Sequence, residues 1–120
     1  MPDYPILDKS KYLAGRWRMI ARLWQGKARD RRGADAYLRH LSAKVLPALA
    51  AIEGHRGARV LQREDGGGVE ILVMTFWDSM DSVRRFAGAD CHRAVVEPEA
   101  RAALAQYDES VRHYEVHEPR

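Results

Sequence analysis

Arg22 stands among apolar neighbours in the run WRMIARLWQ, residues 17–25. A guanidinium within such a run needs a carboxylate partner or a ligand, because a buried charge left alone is strongly destabilising. Near the other end of the chain, His113 lies in SVRHYEVHE. Imidazole is the side chain whose ordinary pKa falls near neutrality, and so it is the usual base. Arginine is a permanent planar cation suited to holding an anion. Together they could take a proton from a small molecule and stabilise what remains. Trp24, Trp77, Tyr114 and Phe86 offer flat apolar walls for a planar compound. Arg22 and His113 are therefore the candidate catalytic residues, and Trp24, Trp77, Tyr114 and Phe86 the candidate substrate contacts. The competing arrangement pairs Arg22 with Glu115 or Glu70, makes His113 an ordinary hydrogen-bonded strand residue and leaves the tryptophans as packing.

Other chemistries find little support. Cys91 is the only cysteine, which rules out an internal disulfide and any paired-cysteine site, and it reads as a small, inert helix residue. His55 sits in a glycine-flanked turn and reads as surface. His40, His92 and His117 fall on polar helical or terminal positions and show no metal-ligand spacing with cysteine or carboxylates. Neither a metal nor a cofactor is expected. The glycine cluster Gly66 to Gly68 joins two strand-like runs rather than opening a helix, so it is a hairpin and not a phosphate cradle. No Gly-x-Ser-x-Gly elbow occurs.

The elements that must position these residues follow from periodicity. Residues 17–25 alternate as a strand, with Met19, Ala21 and Leu23 on one face and Ile20, Arg22 and Trp24 on the other. Leu38, Leu41, Val45, Leu49 and Ile52 recur at helical steps, and Pro47 predicts a kink or a restart there. ARVLQRED and VEILVMTFW form a hairpin through Asp65-Gly66-Gly67-Gly68. Asp78 or Ser79 caps the next helix, Asp81 adds a carboxylate to its first turn, and Gly88 ends or bends it. CHRAVVEPEARAALAQY reads as two short helices divided at Pro98, and the last strand alternates Val111, His113 and Glu115 against Arg112, Tyr114 and Val116. The order βαββαβ is the ferredoxin-like α+β pattern, an antiparallel sheet with helices on one face and the last strand beside the first. Its other face carries too many apolar residues to stand in water, so a partner or ligand must cover it.

With 120 residues, 46% hydrophobic and 31% charged, the chain fits one soluble domain, expected over residues 17–120 after an extension at 1–16. The amino-terminal segment has no apolar h-region and no run reaches transmembrane length, so a cytoplasmic location away from membranes is expected. Residues 1–60 hold 13 basic and 5 acidic residues, a net of +8, while residues 61–120 hold 7 and 12, a net of −5. That split suits nucleic-acid binding or two complementary faces of a dimer equally.

RMIARLW, VLPALAAIEGHRG, ILVMTFWDSMDSVRRFAG, AVVEPEA and VRHYEV together resemble the antibiotic biosynthesis monooxygenase type of dimeric α+β barrel, across residues 17 to 118. The resemblance implies a homodimer paired sheet against sheet, and a pocket between sheet and helices. It further implies cofactor-free monooxygenation of a small aromatic or polyphenolic molecule, His113 removing a phenolic proton and Arg22 holding the anion while it meets oxygen. In the haem-degrading branch, an aromatic on the second helix is followed by the histidine that ligates iron. The corresponding positions here are Phe86 and Val96, and valine cannot ligate. His92 lies a helical turn earlier, about 5 to 6 Å away, too far for the same haem pose. The strand-one amide of that branch is also replaced by Arg22 or its neighbours, so haem degradation is disfavoured. An RNA-recognition module shares the βαββαβ order but needs aromatics in a basic, glycine-containing third strand, which ILVMTFWDS lacks, so no nucleic acid is expected. The alternative to an enzyme is a non-catalytic homodimer that binds a small molecule or serves as an assembly unit.

Overall fold

A computed structural model describes residues 19–117; the extension expected at 1–16 and the start of the first expected strand lie outside these residues. Strand β1 (Ile20–Ala28) runs three residues beyond the expected end at Gln25. The ladder continues through Gly26, Lys27 and Ala28, which pair with Ile71, Glu70 and Val69. The turn that follows is correspondingly short. Asp30 accepts a hydrogen bond from the Gly33 amide at 2.9 Å and so caps helix α1 (Arg31–His40).

Pro47 acts as its chemistry requires. A proline cannot donate to the preceding turn, and the helix accommodates it by widening into a π-helical turn over Leu41–Val45, where the Leu46 amide reaches back to the Leu41 carbonyl. Helix α2 (Leu46–Ala50) then resumes with Pro47 in its first turn. Strands β2 (His55–Asp65) and β3 (Gly68–Trp77) form the hairpin, with Gly66 and Gly67 both at positive φ, 58° and 89°, in its two-residue turn. Helix α3 (Met80–Ala87) is capped by Ser79, whose hydroxyl accepts from the Ser82 amide while the Ser82 hydroxyl accepts from the Ser79 amide. Asp78, the other capping candidate, instead takes a bidentate contact from Arg56 at 2.7 and 2.8 Å.

Residues 91–97 correct the helical expectation. They form turns and irregular chain, with a single bridge between Arg93 and Ser110, and only helix α4 (Pro98–Ala103) is helical. Cys91 is buried but not in a helix. The last strand is shorter than expected, β5 (Arg112–Glu115) pairing with Ile20 to Leu23, and the end of the stretch expected to be helical is instead a short strand, β4 (Gln106–Tyr107), paired with Gly26 and Lys27.

The sheet order is β2-β3-β1, with β4 and β5 sharing the free edge of β1, all antiparallel. This is the ferredoxin-like α+β arrangement. Helices cover one face, where Val69, Ile71 and Val73 of β3 pack on Ala34, Tyr37 and Leu41, and Trp77 packs with Leu49, Val83 and Cys91. The other face carries Met19, Ala21, Leu23, Met74, Phe76 and Val116, a cluster drawn wholly from strands and their flanks among the described residues. No helix among the described residues is long and apolar enough to cross a membrane.

Candidate active site

Because strand residues alternate, Arg22 and Trp24 fall on the helix-covered face of β1, in line with Thr75 and Val73 of β3 and His113 of β5. A cavity of about 70 Å³ lies between this face and the helices. Its aromatic walls are Trp24, Tyr37 and Phe86; Leu49, Val73 and Val111 supply aliphatic surface, and Val95, half exposed, stands at the rim. Its polar lining consists of Arg22, Thr75, His40 and Glu97.

Arg22 is only 5% exposed. Its Nη1 donates to the Cys91 carbonyl at 2.6 Å and lies 3.1 Å from His113 Nε2, and its Nη2 donates to the Arg93 carbonyl at 3.0 Å. Glu70 points to the other face and binds Arg63, and no hydrogen bond or ion pair joins Arg22 to Glu115. The charge is thus held by neutral acceptors. Burial lowers its pKa to about 10, which leaves it protonated at neutral pH. The Nε–H and one Nη2 hydrogen have no partner among the described residues. The guanidinium carbon also lies 5.5 Å from the centroid of the Phe86 ring, a cation–π contact that fixes its plane.

His113 occupies a different place from the one expected of a base. It stands directly across the ladder from Arg22, outside the cavity lining, with Nε2 turned to the guanidinium and Nδ1 buried without a hydrogen-bond partner. Desolvation, then the charge of Arg22, push its pKa down to about 4, so the imidazole is neutral and accepts from Arg22. His113 thus faces Arg22 rather than the cavity, and its pKa lies below the near-neutral range expected of a general base.

The aromatic candidates divide. Trp24 and Phe86 line the cavity. Trp24 is held by its indole N–H, which donates to the Asp108 carbonyl at 2.8 Å, and by a tilted contact with Tyr37 at 5.7 Å. Gly26 is required beneath it, since a β-carbon there would come within 2.9 Å of the Trp24 ring. Trp77 does not reach the cavity: fully buried, it stacks on Phe86 at 5.7 Å and donates to Thr75 Oγ1 at 2.9 Å. It supports two lining residues instead. Tyr114 pairs with Ala21 and so lies on the opposite sheet face, 47% exposed, where it cannot join the site.

Four polar lining residues, Thr75, Tyr37, His40 and Glu97, are not among the site candidates that the sequence offers. Thr75 is the uncharged polar member of VEILVMTFW; since its oxygen accepts from Trp77, its hydroxyl hydrogen is left to donate. Tyr37 was concealed in a polar helix start. His40 was set aside as a helical polar position, yet its side chain is 7% exposed and stands beside Glu97 and Glu99. His55, expected at the surface, is half-buried with its ring edge-on to Trp77 at 5.0 Å.

The sequence profile of the antibiotic biosynthesis monooxygenase family matches residues 27–98. No curated protein sequence matches the chain significantly. Among solved structures, a Bacillus cereus protein assigned to the antibiotic biosynthesis monooxygenases superimposes with a TM-score of 0.56 at 16% identity, covering 86% of this chain and 97% of that one. The ActVA-Orf6 monooxygenase of Streptomyces coelicolor, solved with nanaomycin D, gives a TM-score of 0.51 at 15% identity, covering 88% and 90%. At these identities the structures speak for the fold, while the profile spans more than half of the chain. The chain belongs to the antibiotic biosynthesis monooxygenase family.

Proposed function

We propose that this protein is a monooxygenase of a small phenolic or polyphenolic molecule, using dioxygen and drawing on its own side chains rather than a bound cofactor. One observation carries the reading: Arg22 is a buried cation without a carboxylate, and it lines a cavity walled by Trp24, Tyr37 and Phe86. A phenolate is the ligand that satisfies both features. Arg22 lowers the phenol's pKa, the proton leaves to water at the rim, and the electron-rich anion meets oxygen between the aromatic walls. One oxygen atom enters the ring as a quinone carbonyl and the other leaves as water. The phenol gives up both electron pairs, so no external reductant is consumed.

His113 serves here as the residue that positions Arg22, and Thr75 as a second donor to a substrate oxygen. The cavity is smaller than the roughly 150 Å³ that holds benzene in an engineered protein core. Substrate entry therefore requires Phe86 or the rim at Val95 to move. The open sheet face, with Leu23, Met74 and Phe76, is proposed to pair with a second copy and complete a dimeric barrel, in the cytoplasm.

The test is oxygen uptake with a panel of dihydroxyarenes, with product identified by mass. Arg22→Met should lower kcat/KM by at least about 100-fold, the scale of losing an oxyanion donor. Ligand binding that depends on Arg22 without any oxygen uptake would mark the domain as a binding module. Full activity in Arg22→Met would end the proposal.

A further inference from the structure

We infer that His40, Glu97 and Glu99 form a binding site for a first-row divalent cation at the cavity rim. His40 ends α1, and its side chain is more than nine-tenths buried. Its Nε2 has no hydrogen-bond partner among the described residues. Nε2 lies 3.7 Å from Glu97 Oε1, and Nδ1 lies 4.0 Å from Glu99 Oε2, both too long for hydrogen bonds. One ligand atom from each of the three residues can be chosen so that all lie within 4.8 Å of one another.

The spacing suits an ion. With metal–ligand bonds of about 2.1 Å, two ligand atoms can stand at most about 4.2 Å apart. The Nε2 and Oε1 pair already meets that limit, and the third ligand needs only a small side-chain rotation. Glu97 and Glu99 are half exposed, with room to make it once Glu99 exchanges its ion pair with Lys44 for the metal. Pro98, between them, opens α4 with a fixed φ and limits the backbone freedom of the segment that carries both carboxylates. Surface carboxylates alone would mean nothing; the buried imidazole nitrogen without a partner, facing them, is what distinguishes this cluster.

One imidazole and two carboxylates suit Zn²⁺, Co²⁺ or Mn²⁺ better than Ca²⁺, which seeks more oxygens, or Cu⁺, which seeks sulfur. Lys44 Nζ, 3.2 Å from Glu99 Oε2, is the cation that a metal would displace. Because His40 and Glu97 also line the cavity, water or a substrate oxygen would complete the coordination from that side. The site uses none of the residues on which the oxygenase reading depends, so either can fail alone.

The experiment titrates the full chain with Co²⁺, followed by its visible absorption, and with Zn²⁺ by calorimetry. Saturable binding of one ion per chain is expected. His40→Ala should weaken it by at least about tenfold, the lower end of what even an outer-shell partner contributes. Glu97→Gln, on a half-exposed side chain that preserves shape, should do the same with an unchanged circular dichroism spectrum. Non-saturable binding to the native chain, or native affinity in Glu97→Gln or in folded His40→Ala, overturns the site whatever oxygen uptake shows.

Discussion

The two faces of β1 are built from neighbouring residues and behave as different materials. On the helix-covered side, Ile20, Arg22 and Trp24 meet α-helical packing and a cavity; on the other, Ala21 and Leu23 cluster with Met19, Met74, Phe76 and Val116. The covered face keeps a buried charge, held by carbonyls and an imidazole, where an apolar side chain would pack at least as stably. The open face keeps apolar groups where polar ones would suit a solitary domain. Each face departs from the composition that simple stability favours, and on these departures rest the proposed ligand site on one side and the proposed pairing surface on the other.

The strongest way to break the comparison is at Arg22. Arg22→Met should weaken binding of phenolic anions by about 100-fold or more, while urea unfolding shows a loss of no more than about 1–3 kcal/mol, the cost of an acceptor left without its donor. A chain that no longer folds would make Arg22 structural, and the faces would then differ less than claimed. On the open face, where half-exposed Leu61 of β2 lies with Met74 and Phe76 along one shallow groove, Leu61→Asp combined with Met74→Asp places like charges on the proposed pairing surface. Sedimentation velocity should then report a monomer that still binds the ligand at Arg22.

A subtler difference concerns pH. His113 has its pKa lowered in the folded chain from 6.5 to about 4, so the unfolded chain binds the extra proton first. Its contribution is fully present above pH 6.5 and is lost as pH falls towards about 4. His113→Asn, which still offers Arg22 an acceptor, should flatten the stability profile across that window in denaturant titrations. The smallest effect belongs to the covered face's scaffolding: Ser79→Ala removes the cap of the helix that carries Phe86. It should cost about 1 kcal/mol in unfolding free energy and leave the association state unchanged.

Most of the fold was legible because its signals are local. Alternation in β1 and β3, the Asp65-Gly66-Gly67-Gly68 turn, the Ser79 cap and the interruption at Pro47 each announce themselves within a few residues. Residues 91–97 misled because AVV after a polar pair suits a helix, whereas the actual bonds join Ala94 and Val111 to the carbonyls of Glu109 and His92. The site was legible only in part. Arg22 stood out as a charge in an apolar strand, and its face followed from period two. Tyr114 neighbours β1 as His113 does, but as the alternate residue of β5 it takes the opposite sheet face, so adjacency of strands alone does not bring it to the site. His40 leaves no such signal, because its carboxylate neighbours come from the start of the distant α4 and the residue before it, a tertiary meeting with no periodic trace. The pKa of His113 depends on burial and on Arg22, neither of which a residue type reveals.

The acceptors that clamp Arg22 are the main-chain oxygens of Cys91 and Arg93. Every amino acid carries such an oxygen, so the exposed side chain at 93 is free to drift through evolution without loosening the guanidinium, and the one at 91 is constrained only by its packing beside Trp77. Loop length is not free: a single insertion or deletion between α3 and β5 would displace both oxygens together. Among homologues, the integrity of this site should therefore be written in the spacing of an unremarkable loop, while its letters vary.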